Sequence, residues 1–187
     1  MRAILLIGLS AGVLSALQAP TLSVAASGRA TTEVSLSPPE VKGQPEPAPL
    51  RIRVEYGQPH ARGRQLLGTL IPFDSVWRTG ANTATSLITD VPLVLGGAAL
   101  PKGAYSLYTL PTKKGWTLIV NADTGQSGMD YVKARDVARI PLTARALKEP
   151  VESFSIVLQP DAKPPVRGVL RLAWGDFELS VPWSVKP

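Results

Sequence analysis

Along Leu50-Arg51-Ile52-Arg53-Val54-Glu55-Tyr56, apolar and charged residues alternate. Ile52, Val54 and Tyr56 fall on one face, and Arg51, Arg53 and Glu55 on the other. Side chains of a strand point to opposite faces in turn, so this run predicts a half-buried antiparallel strand with a charged outer face. The alternation recurs. Phe154, Ile156 and Leu158 oppose Ser153, Ser155 and Val157. Leu170, Leu172 and Trp174 oppose Val169 and Arg171. Phe177, Leu179, Val181 and Trp183 oppose Asp176, Glu178 and Ser180. Gly175-Asp176 stands between the last two runs and predicts a hairpin turn. Further strands are expected at Thr32–Leu36, Thr85–Thr89, Ala104–Leu110 and Trp116–Asn121. Turns at Pro101-Lys102-Gly103 and Pro111–Gly115 separate them.

Helical periodicity is weak. Gln65–Leu70 is long enough for one turn. Asp130–Val137 is either a short helix or a strand leading into Arg139-Ile140-Pro141. Ser37 to Pro49 holds five prolines and cannot be regular structure, since each removes a backbone donor. It is expected to be an extended loop between two strands. Short strands punctuated by turn residues predict an all-β fold, a single-domain antiparallel β-sandwich of about eight to ten strands over residues 27–187.

Ala3 to Leu17 carries no charge and follows Arg2. That matches the apolar stretch of an export signal, and it is short for a membrane span. Small residues at Ser23-Val24-Ala25-Ala26 predict cleavage near residue 26. An uncleaved anchor is the alternative. Cleavage leaves roughly 160 residues, enough for a sizeable core. No Cys is present, which excludes disulfides, Cys metal sites and Cys nucleophiles. The net charge of +6 is scattered, without the basic stripe of a nucleic-acid binder. Periplasm or extracellular space is the expected location.

Candidate chemistry is sparse. Gly8-Leu9-Ser10-Ala11-Gly12 fits a nucleophile-elbow pattern but lies in the expected leader, without the strand–turn–helix setting that motif needs. His60 is the only histidine, so a multi-His metal site is impossible. With Arg64 it sits in a run that reads as an exposed loop. Asp123, Asp130 and Asp136 cluster in a polar stretch whose spacing does not fit a calcium loop. No metal or cofactor is expected. Trp77-Arg78-Thr79-Gly80-Ala81-Asn82 stands out. Arg78 offers five donors in a planar fork suited to a carboxylate, a phosphate or several carbonyls. It is therefore either a structural tie or an anion grip, with Trp77 as an apolar wall and Thr79 and Asn82 beside it.

Gly63-Arg64, Gly68, Leu70-Ile71-Pro72-Phe73, Val76-Trp77-Arg78-Thr79-Gly80-Ala81-Asn82 and Ala84-Thr85 together resemble domain-of-unknown-function family 2911. The likeness continues through Leu100–Pro111, Gly115–Asn121, Tyr131 and Asp136-Val137. It implies a β-rich exported bacterial domain and brings no activity, substrate or catalytic residue. Two positions depart from the family pattern: Thr83 stands where an acidic residue is usual, and Ser127 where an aromatic is usual. The resulting expectation is a non-catalytic binding or envelope-associated module for a small molecule or glycan, with Trp77, Arg78, Thr79, Asn82, His60 and Arg64 as ligand-binding candidates. The alternative is a hydrolase using Asp74, Asp123 or Asp136 with His60.

Overall fold

The computed structural model describes residues 22–163 and 166–186. Most of the expected leader, with the Gly8–Gly12 pattern, lies outside them. Nine strands form one open antiparallel sheet: β1 (Ser27–Leu36), β2 (Leu50–Pro59), β3 (Thr85–Thr89), β4 (Leu93–Leu95), β5 (Ala98–Leu100), β6 (Gly103–Thr112), β7 (Gly115–Asn121), β8 (Asp136–Pro160) and β9 (Arg167–Val185). Their order is β1-β2-β3-β6-β7-β8-β9-β4-β5. The only helical element described is a 3-10 turn at Lys133–Arg135. The all-β antiparallel fold and strand number are as expected, with the two facing layers supplied by a single bent sheet.

β8 makes the bend. Asp136 to Leu142 pair with β7, and Thr143 to Pro160 pair with β9. One apolar cluster joins both halves, with Ile52, Leu107 and Leu118 from the first and Leu172, Leu179 and Trp183 from the second. Burying it is the main source of stability. The far end of β8 returns to the start of the sheet. There Leu158 N–H donates to Thr32 Oγ1 at 3.2 Å, and His60 forms a bridge with Ser153.

Gly175-Asp176 is not a hairpin turn. β9 runs straight through it, and Gly175, at φ 55°, bends the strand while β8 shifts register opposite. The buried set changes from even positions (Leu170, Leu172, Trp174) to odd ones (Phe177, Leu179, Val181). Between the pairs Ala146–Phe177 and Val151–Gly175, four residues of β8 stand against Asp176 alone, and such an irregularity can reverse which face is inside. The helical turn expected at Gln65–Leu70 is a non-helical turn closed by Ile71 N–H to Leu66 O at 2.8 Å. Asp130–Val137 resolves into the 3-10 turn and the start of β8. Ser37 to Pro49 is irregular and connects paired strands β1 and β2.

Candidate functional site

Trp77 sets the position of the signature segment. It exchanges both backbone hydrogen bonds with Thr109 of β6, at 2.8 and 2.9 Å. Its ring is buried between Phe154 of β8 (centroids 5.2 Å apart) and Trp174 of β9 (5.8 Å, stacked). It therefore belongs to the core and walls no surface site. Thr79 is also fully buried. Its hydroxyl donates to Thr109 Oγ1 at 3.2 Å, and its carbonyl accepts from Thr85 Oγ1 at 2.7 Å.

The backbone here is strained. Thr79 has φ 54° and Asn82 φ 64°. A β-branched residue in the left-handed region is a genuine outlier, and such strain persists only where the surroundings over-determine it. The constraint is close backbone packing against β2. A Cβ on Gly57 would collide with the Ala81 carbonyl, and one on Gly80 would lie 2.9 Å from Gly57 O. The loop is thus clamped from below.

Arg78 points away from this clamp. Its aliphatic stem packs on buried Gly128, where any Cβ would strike Arg78 Cδ and Cβ. Gly128 N–H donates to Asn82 O at 3.0 Å, and Ala84 N–H to Gln126 O at 3.2 Å. Thr83 and Ser127 face each other across the same contact. These two positions, which the resemblance marks as departures, are therefore spatial neighbours. Arg78 is half-buried, yet its guanidinium has no hydrogen bond or ion pair among the described residues. Eight other arginines meet a carboxylate, and Arg64 meets backbone carbonyls. The one remaining described arginine, Arg62, is exposed.

His60 and Arg64 form a second group. His60 Nδ1 lies 2.8 Å from Ser153 Oγ, and His60 Nε2 lies 3.1 Å from Ala25 O. Arg64 donates to the His60 and Ala61 carbonyls at 2.6 and 3.0 Å, closing its own loop. A cleft of about 400 Å³ opens beside it, lined by Arg64, Leu66, Glu152 and Asp176 among others. The segment 25–27 joins the two groups, because Asn82 Nδ2 donates to Ser27 O at 3.4 Å.

The carboxylates are mostly engaged. Asp123 accepts from Arg135 at 2.8 Å. Asp136 accepts from Asn121, Tyr131 and Arg139 at 2.9, 2.7 and 2.9 Å. Burial, then the Asp136 hydrogen bond, pushes the Tyr131 hydroxyl up to about 12. Asp74, at φ 59°, is exposed on a turn. No group of three metal-ligating side chains occurs among the described residues, and none of their helices is long and apolar enough to cross a membrane.

Sequence reasoning missed Gly57 and Gly128, whose missing side chains seat the loop and Arg78. A glycine opposite a distant backbone leaves no local signature.

No curated protein and no solved structure matches the chain. A family model does, over residues 37–183, spanning β2 to β9 and both groups of candidate residues except the contacts at 25–27. The chain belongs to that family, described as protein of unknown function (DUF2911).

Proposed function

We propose that this is an exported binding module whose site is Arg78, presented with Asn82 on a clamped loop. The ligand feature is an oxyanion, a carboxylate or phosphate, carried by a small molecule or glycan. One observation carries the reading: a half-buried arginine whose stem packs on Gly128 and whose guanidinium has no acceptor among the described residues, in a molecule that pairs most of its other arginines. Charge-assisted bonds to a planar fork are the strong ones, and a rigid loop loses little entropy on binding. The strained backbone at Thr79 and Asn82 supports it, since such strain clusters at ligand clamps.

A carboxylate hydrolase has less support. Asp123 and Asp136 are held by Arg135 and Arg139. We further propose that the leader is cut near residue 26 on export.

Thermal unfolding with inorganic phosphate and glucuronate tests the site. A ligand-dependent rise in Tm should occur in the native chain and vanish in Arg78→Ala, as expected when only the folded state binds. No rise with either anion, or equal rises in both proteins, would sink it.

A further inference from the structure

His60 supplies a second binding position that the chain's own leader end fills. A carbonyl oxygen only accepts, so the contact with Ala25 O makes His60 Nε2 the donor. In the neutral ring Nδ1 is then the acceptor, and the Ser153 hydroxyl donates to it at 2.8 Å. The Ala25 carbonyl thus fixes the tautomer, and Ser153 holds the plane of the ring. Two residues after Ala25, Asn82 holds the Ser27 carbonyl, and β1 begins at Ser27 in register with Pro59, beside His60. The carbonyl on His60 therefore belongs to a residue that cleavage would remove, whether the cut follows Ala25 or Ala26.

We propose that His60, oriented by Ser153, binds the terminal carboxylate of a short peptide once the leader has left. This rests on the cut proposed above. Cleavage does two things at this point. It strips the acceptor from the His60 Nε2–H, and it creates an α-ammonium at Ala26 or Ser27 within two residues of the vacated position. Arg64 adds a second positive group, tied to the His60 carbonyl at 2.6 Å. A donor flanked by two cations selects a carboxylate over a neutral amide. The group that sits there in the uncut chain is a peptide carbonyl, so the position already accommodates extended peptide backbone. Before cleavage the leader end acts as the occupant and keeps other peptides out.

The single histidine makes this directly readable, because its ring protons give one set of NMR signals. Two proteins are compared, one beginning at Leu22 and one at Ser27. Both keep every strand and the whole apolar core. The probes are acetyl-Val-Ala-Ala with a free carboxylate and the same tripeptide as its amide. The His60 Cε1–H resonance should differ between the proteins. The acid tripeptide should move it saturably in the Ser27 form and leave the Leu22 form unmoved. The amide should bind the Ser27 form roughly tenfold more weakly, the loss of one charge-assisted contact. Ser153→Ala should weaken the acid tripeptide several-fold while near-ultraviolet circular dichroism stays native. Identical His60 resonances in the two proteins, no response of the Ser27 form, or equal binding of acid and amide would each overturn the proposal. Arg78→Ala should leave this titration unchanged, so failure of the phosphate experiment and failure of this one are separable.

Discussion

Arg171, on β9, and Arg78, on the loop between β2 and β3, are both half-buried arginines, and their surroundings differ in one respect. Arg171 donates to Glu178 at 3.0 Å, and Arg145 joins it with two bonds to the same carboxylate at 2.7 and 2.9 Å. Both guanidinium groups there have a carboxylate partner, although two cations sharing one carboxylate leave a net charge of +1. Arg78 has Gly128 beneath it, next to the backbone bridge between Thr83 and Ser127. A solvent-reachable guanidinium without a protein partner keeps its planar fork of donors free for an anion. Residue type alone therefore does not mark a site. What marks it is a side chain whose local partners are missing.

Five substitutions break or sharpen this contrast. The largest effect is expected for Trp77→Ala, which empties the space between Phe154 and Trp174. Core aromatic truncations cost about 3–5 kcal/mol, and urea unfolding should show that loss with the Arg78 site disrupted as a consequence. Gly128→Ala follows. It forces Arg78 and the Asn82 carbonyl off their seat, and overpacking of this kind costs about 1–3 kcal/mol. Phosphate should no longer raise Tm in this variant although Arg78 is still present. A retained phosphate response would show that the seat is irrelevant.

Glu178→Gln removes that shared carboxylate. Hydrogen bonding from Arg145, assisted by Arg171, holds the Glu178 carboxyl below its ordinary range. Its stabilising contribution is present above the unfolded carboxyl's titration range and is lost as pH falls through the folded one. The variant should be less stable at neutral pH by a few degrees in Tm, and the difference from the native chain should shrink under acid. A constant difference across pH would show that the ion pair contributes nothing. The smallest stability effect belongs to Arg78→Ala, within about 0.5 kcal/mol as for a surface position, with complete loss of the phosphate response. A loss of several kcal/mol would make Arg78 a structural tie. In the opposite direction, Thr83→Asp places a carboxylate near Arg78 and should imitate Glu178, weakening phosphate binding while leaving stability nearly unchanged.

Much of the sheet was legible in the alternation, because one face of each strand is apolar. Leu50–Tyr56, Thr85–Thr89 and Trp116–Asn121 lie within β2, β3 and β7. β4 and β5 escaped notice. Each has three residues, too few for a period, although Gly96-Gly97 between them, at φ 53° and 89°, is a hairpin turn of the expected chemistry. The parity change at Gly175 was visible in the pattern. Whether such a change means a turn or a bulge depends on the partner strand, since β8 runs alongside on both sides of it.

The site shows the same division. That Trp77-Arg78-Thr79-Gly80-Ala81-Asn82 is special follows from its residue types. That Trp77 and Thr79 face inward while Arg78 and Asn82 face outward follows from the bridge to Thr109 and the contact with Gly57, 23 to 32 residues away along the chain. By itself the sequence determined the all-β class, the strand faces and the chemistry available, because patterning and side-chain type are local properties. Only the tertiary structure decided which arginines are neutralised, that His60 meets Ser153 and Ala25, and that Arg78 is left without a partner. Pairing depends on which distant segments approach within about 3 Å, and nothing in a local pattern encodes that distance.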